Sequence, residues 1–218
     1  MPSWSIHLSI ANEVKKKLKL TDEFIVGNIM PDILVGYMVE NPSIIIDKNT
    51  SHFSDGKPPT INIDKFIKKY KKNLNHPLVQ GYLSHLIADS FYNEYTYKHH
   101  YSFEDGRPKA ILKDGTKLSA FVHKPWKIKQ HDFEIYSQKL IDNNFIPIIN
   151  ENKLNYSNII KECPIDKGDL EKAICKIEKI RNSKKEYCKD ELIMFTEYEL
   201  DLLYDKCCDE VYKKLKDI

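Results

Sequence analysis

The sequence predicts an all-α fold: a multi-helix bundle with a small β-hairpin inserted near 108–118. Three observations carry this. Apolar residues recur at helical spacing along most of the chain, as in Ile6, Ile10, Val14 and Leu18. Glycine is scarce, 7 in 218 residues, and 34 basic residues are balanced by 32 acidic ones, as on solvated helix faces. A central stretch, Tyr82 to Tyr97, runs without Gly or Pro and places Tyr82, Leu86 and Ile87 on one apolar face. A chain of 218 residues suits one large domain spanning 1–218. Its core is expected in about 1–143, with C-terminal helices at about 165–216 packing on it.

The elements follow in order. Ser3 or Ser5 caps a first helix ending near Leu18, and His7 lies beside its apolar stripe. Thr21 caps a second helix carrying Phe24, Ile25 and Ile29. Pro31 disfavours helical geometry at Met30, so that helix is expected to break there, with Asp32 just past the break. Residues 36–60, with Pro42, Gly56, Pro58 and Pro59, read as a long irregular loop containing Ser51-His52-Phe53. A third helix runs from Ile61 or Asn62 to about Leu74. Pro77 opens the central helix, which ends near His99-His100, with His76 as a cap. Residues 103–108 read as a turn, and 110–118 as a hairpin around Asp114-Gly115. Further helices are expected at about 127–143, 167–182 and 189–216.

Composition excludes some classes. A net charge of +2 gives no strong nucleic-acid or membrane signature. Arg107 and Arg181 are the only arginines, so a phosphate site cannot rely on several bidentate guanidinium clamps. No run approaches the length of a membrane span and no secretory signal is seen, which leads to the expectation of a cytoplasmic protein. The five cysteines are expected as free thiols.

His85 and Asp89, four apart, share one face of the central helix, and such a pair can grip a first-row metal ion. With His7, Asp32 and His52 they make three imidazoles and two carboxylates. That set suits zinc, with manganese or iron as the other ions it accepts. Five side chains exceed the needs of one tetrahedral zinc, so two ions bridged by Asp89 are the economical reading.

The segments Met1-Pro2-Ser3-Trp4-Ser5-Ile6-His7-Leu8, Gly27-Asn28-Ile29-Met30-Pro31-Asp32-Ile33, Ser51-His52-Phe53 and Gly81-Tyr82-Leu83-Ser84-His85-Leu86-Ile87-Ala88-Asp89 together resemble the zinc-dependent phospholipase C family, which is related to zinc-dependent single-strand nucleases. The likeness covers about residues 1–95. It implies the helical bundle of that family. It also implies that His7 holds one ion, that Asp32, His52 and His85 hold the other, and that Asp89 is shared. Asp32 would also be the base for an attacking water. The expected activity is hydrolysis of phosphoric esters, on a small-molecule, lipid-headgroup or nucleotide phosphodiester. Secreted members use a processed N-terminal tryptophan whose amine binds metal, and Trp4 is not at such a site. The family's third ion would need a His-x-x-x-Glu pair, for which only His100 and Glu104 have the spacing. His99, His100, Arg107, His123 and Lys124 are candidates for a substrate pocket.

Two alternatives stand beside this. An HD-type phosphohydrolase would use the adjacent His131-Asp132 pair, leaving His85 and Asp89 unexplained. A non-catalytic, metal-stabilised helical interaction module would use the ions to hold helices together. The residues do not indicate an oligomeric state or a role for 144–218.

Overall fold

The computed structural model describes residues 2–56, 59–104, 106–119, 124–150, 154 and 159–218. The described residues are mostly helical, with two small antiparallel sheets. The helices are α1 (Trp4–Leu18), α2 (Asp22–Ile33), the short α3 (Lys48–Ser51), α4 (Ile63–Tyr70), α5 (Pro77–His100), α6 (Pro125–Asp142), α7 (Lys167–Arg181) and α8 (Glu197–Lys216). Strands β1 (Ser54–Asp55) and β2 (Thr60–Ile61) form one sheet. Strands β3 (Tyr101–Glu104), β4 (Arg107–Ile111) and β5 (Lys117–Ser119) form the other, in that order. None of the described helices is long and apolar enough to cross a membrane.

Helix α5 is the axis. It packs on α1, α2, α4 and α8, and its first half is buried almost all round, from Leu78 through Asp89. The approach of α2 to α5 depends on two glycines. A Cβ on Gly27 would lie 2.0 Å from the Leu78 carbonyl oxygen, and one on Gly81 would lie 2.0 Å from that of Phe24. With no side chain at either place the two backbones come into contact, and Asn28 Nδ2 donates to Ser84 Oγ across the seam at 2.8 Å. Helix α8 then covers α1 and α5 with Leu200, Leu203, Cys207, Val211 and Leu215.

Several local expectations are corrected. Helix α2 does not break at Met30; it continues through Pro31 to Ile33, so Asp32 is helical. The lost donor of one proline is tolerated because this turn is wholly buried against its neighbours. Thr21 stands at the N-cap of α2 without a side-chain cap bond, whereas Ser3 caps α1 by accepting from the Ile6 amide. The long loop contains α3, capped by Asp47. The turn expected over 103–108 is narrower: Phe103 and Glu104 end β3, Arg107 and Pro108 begin β4, and Tyr101 at the start of β3 pairs with Ala110. The helix expected over 189–216 begins only at Glu197. Asp132 on α6 accepts amide bonds from Ile193, Met194 and Phe195, which holds that stretch in a bend outside the helix, and the Thr196–Glu199 capping box starts α8.

Candidate metal centre

All five expected ligands are buried. His7, His85 and Asp89 have no exposed surface, and Asp32 and His52 are 4% and 1% exposed. They arrive from four elements. His7 lies in the first turns of α1, Asp32 in the last turn of α2, and His52 at the C-cap of α3. His85 and Asp89 lie one turn apart on α5. The seam between α2 and α5 brings Asp32 toward His85, 3.9 Å from Oδ2 to Nε2.

His52 is positioned from outside the cluster. Its Nδ1 lies 3.1 Å from the Lys48 carbonyl and 2.9 Å from Ser51 Oγ. A carbonyl only accepts, so Nδ1 carries the proton and Nε2 presents a lone pair in the neutral ring. Phe53, with φ of 52°, turns the chain sharply after His52 and buries its ring against Phe66, Tyr70 and Tyr82. The Tyr82 hydroxyl donates to the Ser51 carbonyl and ties this loop to α5.

Asp89 divides its two oxygens. Oδ1 lies 3.1 Å from His7 Nε2, while Oδ2 lies 3.5 Å from both His52 Nε2 and His85 Nε2. His52 Nε2 also sits 3.3 Å from Asp32 Oδ1 and 3.3 Å from His85 Nε2. The rings of His7 and His85 stack, with centroids 3.9 Å apart. Two groups of potential ligand atoms result, each within 4.8 Å: His7, His85 and Asp89, and Asp32, His52 and His85.

These residues fit a bound cation. The Nε2 lone pair of a neutral His52 would face two carboxylate oxygens and another imidazole nitrogen, which is repulsive without a positive charge between them. Among the described residues, Asp32 and Asp89 have no Lys or Arg partner, and Asp32 Oδ1, Asp89 Oδ2 and His7 Nδ1 are buried without a hydrogen bond of good geometry. The protein's own charges meet part of the demand. Burial opposes ionisation of Asp89, but His85 and then His7 outweigh it and hold its carboxyl far below the usual range. Burial likewise opposes ionisation of Asp32, but the imidazoles beside it outweigh burial and hold its carboxyl below the usual range. Burial works to lower His85, but Asp89 holds it up. Burial, then the neighbouring His85, push His7 down to about 4.

Sequence reasoning missed the role of Trp4. Its indole Nε1 donates to Asp32 Oδ2 at 3.1 Å, so Trp4 orients a ligand. The signal was present: Trp4 precedes His7 by three residues, on the same helix face. Asn28 and Ser84 were also missed as the polar clasp of the seam. No family model, curated protein or solved structure matches this chain.

Other candidates lie elsewhere. His100 does not meet Glu104, which is exposed on β3 and pairs with Lys117; His100 faces Glu199 at 3.5 Å and the Ile111 carbonyl at 3.1 Å. Strand pairing turns Glu104 away from the end of α5 and so undoes the helical spacing. His131 Nε2 lies 3.2 Å from the Glu191 carbonyl, and Asp132 is occupied by the backbone amides before α8. His99 is exposed beside Tyr95, and Arg107 and Lys124 are exposed. His123 lies outside the described residues.

Proposed function

We propose that this protein is a hydrolase of phosphoric esters, with phosphodiesters as its substrate class and a dinuclear zinc-class centre as its cofactor. The observation that supports this most directly is the division of Asp89, with one oxygen toward His7 and the other toward His52 and His85. In this reading Asp89 is shared, His7 holds one ion, and Asp32, His52 and His85 hold the other. The resemblance of residues 1–95 to zinc-dependent phospholipases C and single-strand nucleases points the same way.

Bound there, zinc-class ions supply a water of lowered proton affinity and neutralise charge that develops on a phosphoryl group. The protein's own residues do the rest. Trp4 holds Asp32 Oδ2, which leaves Oδ1 to take the proton of the attacking water. Ser51 and Lys48 fix the His52 ring, so its Nε2 stays directed inward. Cavities of about 620 Å³ and 880 Å³ reach Asp32 and His52 respectively, and Lys48 lines both, where it can neutralise an anionic substrate.

The test is elemental analysis of untagged protein, for wild type beside Asp89→Ala and His85→Ala. The expected result is about two zinc-class ions per chain in wild type, lost in both variants together with turnover of bis(p-nitrophenyl) phosphate. Folded wild type that holds no metal and takes up neither zinc nor manganese would overturn the reading.

A further inference from the structure

The cavity that reaches Asp32 has about 620 Å³ of space, within the range that accepts a small organic molecule. Much of its wall comes from the C-terminal half of the chain, well outside the ligand segments. Trp126 comes from α6, Lys176 and Lys179 from α7, and Lys185 from the stretch after α7. Among the described residues, none of these three lysines has an ion pair, and Lys48 of α3 adds a fourth cation to the lining. Against them the wall carries two carboxylates, Asp32 and Glu134. The chain has two tryptophans, Trp4 and Trp126, and both line this cavity. Trp126 is 59% exposed, and Lys127 Nζ lies 5.6 Å from its ring centroid, which adds a cation beside the ring.

We propose that this cavity is a subsite for a small organic polyanion that carries an aromatic ring, with a nucleoside diphosphate as the type. Lys176, Lys179 and Lys185 hold the charge, and Trp126, with Lys127 beside its ring, offers an aromatic surface to the ring. As the substrate's recognition site this rests on the phosphoesterase reading, since it places one phosphoryl group beside Asp32; as a binding site it does not. Three unpaired cations around one cavity favour several negative charges over one. Lysines are point charges without the fork of a guanidinium, so the subsite selects by charge count and is weakened by salt.

Because both tryptophans line the cavity, intrinsic fluorescence reports its occupation. The full chain, stripped of metal with EDTA, is titrated with adenosine diphosphate, adenosine and phosphatidylglycerol vesicles. Adenosine diphosphate is expected to quench the emission saturably, and adenosine to leave it unchanged. Lys176→Ala/Lys179→Ala is expected to weaken the diphosphate by about tenfold or more, with unchanged helix content by circular dichroism. Trp126→Phe is expected to remove most of the response. Absence of quenching, or quenching that the lysine variant does not weaken, would overturn the proposal. So would a response to vesicles without one to the diphosphate, which would make this face a lipid-binding surface. Diphosphate binding by a protein that, loaded with zinc, cleaves no diester leaves the subsite standing and removes the phosphoesterase reading. Cleavage without diphosphate binding does the reverse.

Discussion

Asp89 shows how much one buried side chain can organise. Its ionised form is sustained by His85 and His7 rather than by a lysine or arginine ion pair, so protons compete with any metal for the same places. The competition has a sign in the metal-free protein. Burial and then His85 lower His7 from 6.5 to about 4. A base lowered in the folded state stabilises the fold above pH 6.5, and that contribution is lost as pH falls toward 4. Asp32 and Asp89, held below the usual carboxylate range, lose theirs still lower. His85, raised, works in the opposite direction, its contribution lost as pH rises. The urea midpoint of EDTA-treated protein is therefore expected to fall from pH 6.5 to 4, and to fall less steeply in His7→Gln. Equal slopes in the two proteins would contradict this account.

At the scale of elements, the seam between α2 and α5 sets the distance between Asp32 and the α5 ligands. Gly81→Ala would drive a methyl group into the Phe24 carbonyl, and backbone cannot yield as a side-chain tip can. The expected cost is about 2–3 kcal/mol in urea unfolding, with weaker metal binding because α2 must move away. Gly115→Ala is a useful contrast. Nothing lies within 4 Å of its added methyl, so only the left-handed backbone at φ 85° is strained, at about 1 kcal/mol and with metal binding intact. Equal loss of metal affinity in both variants would show that the seam does not set the site.

At the scale of the whole molecule, the C-terminal helices close the core over the ligand-bearing ones, and thiols record that closure. Cys163, Cys207 and Cys208 are buried and Cys175 is exposed. Burial pushes Cys163 and Cys208 from 9.0 up to about 12. A thiol raised in the folded state stabilises below pH 9, and that contribution is lost as pH rises toward 12. Buried Tyr82, Tyr92 and Tyr204 are raised as well, chiefly by burial, and add to the same alkaline loss. Stability is expected to decline above pH 9. At neutral pH, Ellman's reagent is expected to label Cys175 at once and the three buried thiols only at the rate of opening. Rapid labelling of Cys207 would mean that α8 does not stay docked on α1 and α5.

What the sequence determined by itself was local or periodic. Helical spacing revealed α1, α4, α5, α6 and α7 within a few residues, the Asp-Gly turn revealed the β4–β5 hairpin, and His85 with Asp89 could be placed on one face because a helix repeats every 3.6 residues. Residue type at His7, Asp32 and His52 raised them as candidate ligands. Only the tertiary structure decided that these five side chains meet, since they come from four elements separated by up to 82 residues in His7 and Asp89. It alone decided that α2 runs through Pro31, because burial on all sides outweighs one lost hydrogen bond. It alone decided that 193–195 bends away from helix, because a carboxylate 61 to 63 residues away takes the amides that a helix would have used. Trp4 and the lysine-lined cavity belong to the same class. A short-range pattern records what each segment prefers, while an indole on a distant carboxylate, or four lysines around one space, exists only after packing has chosen among those preferences.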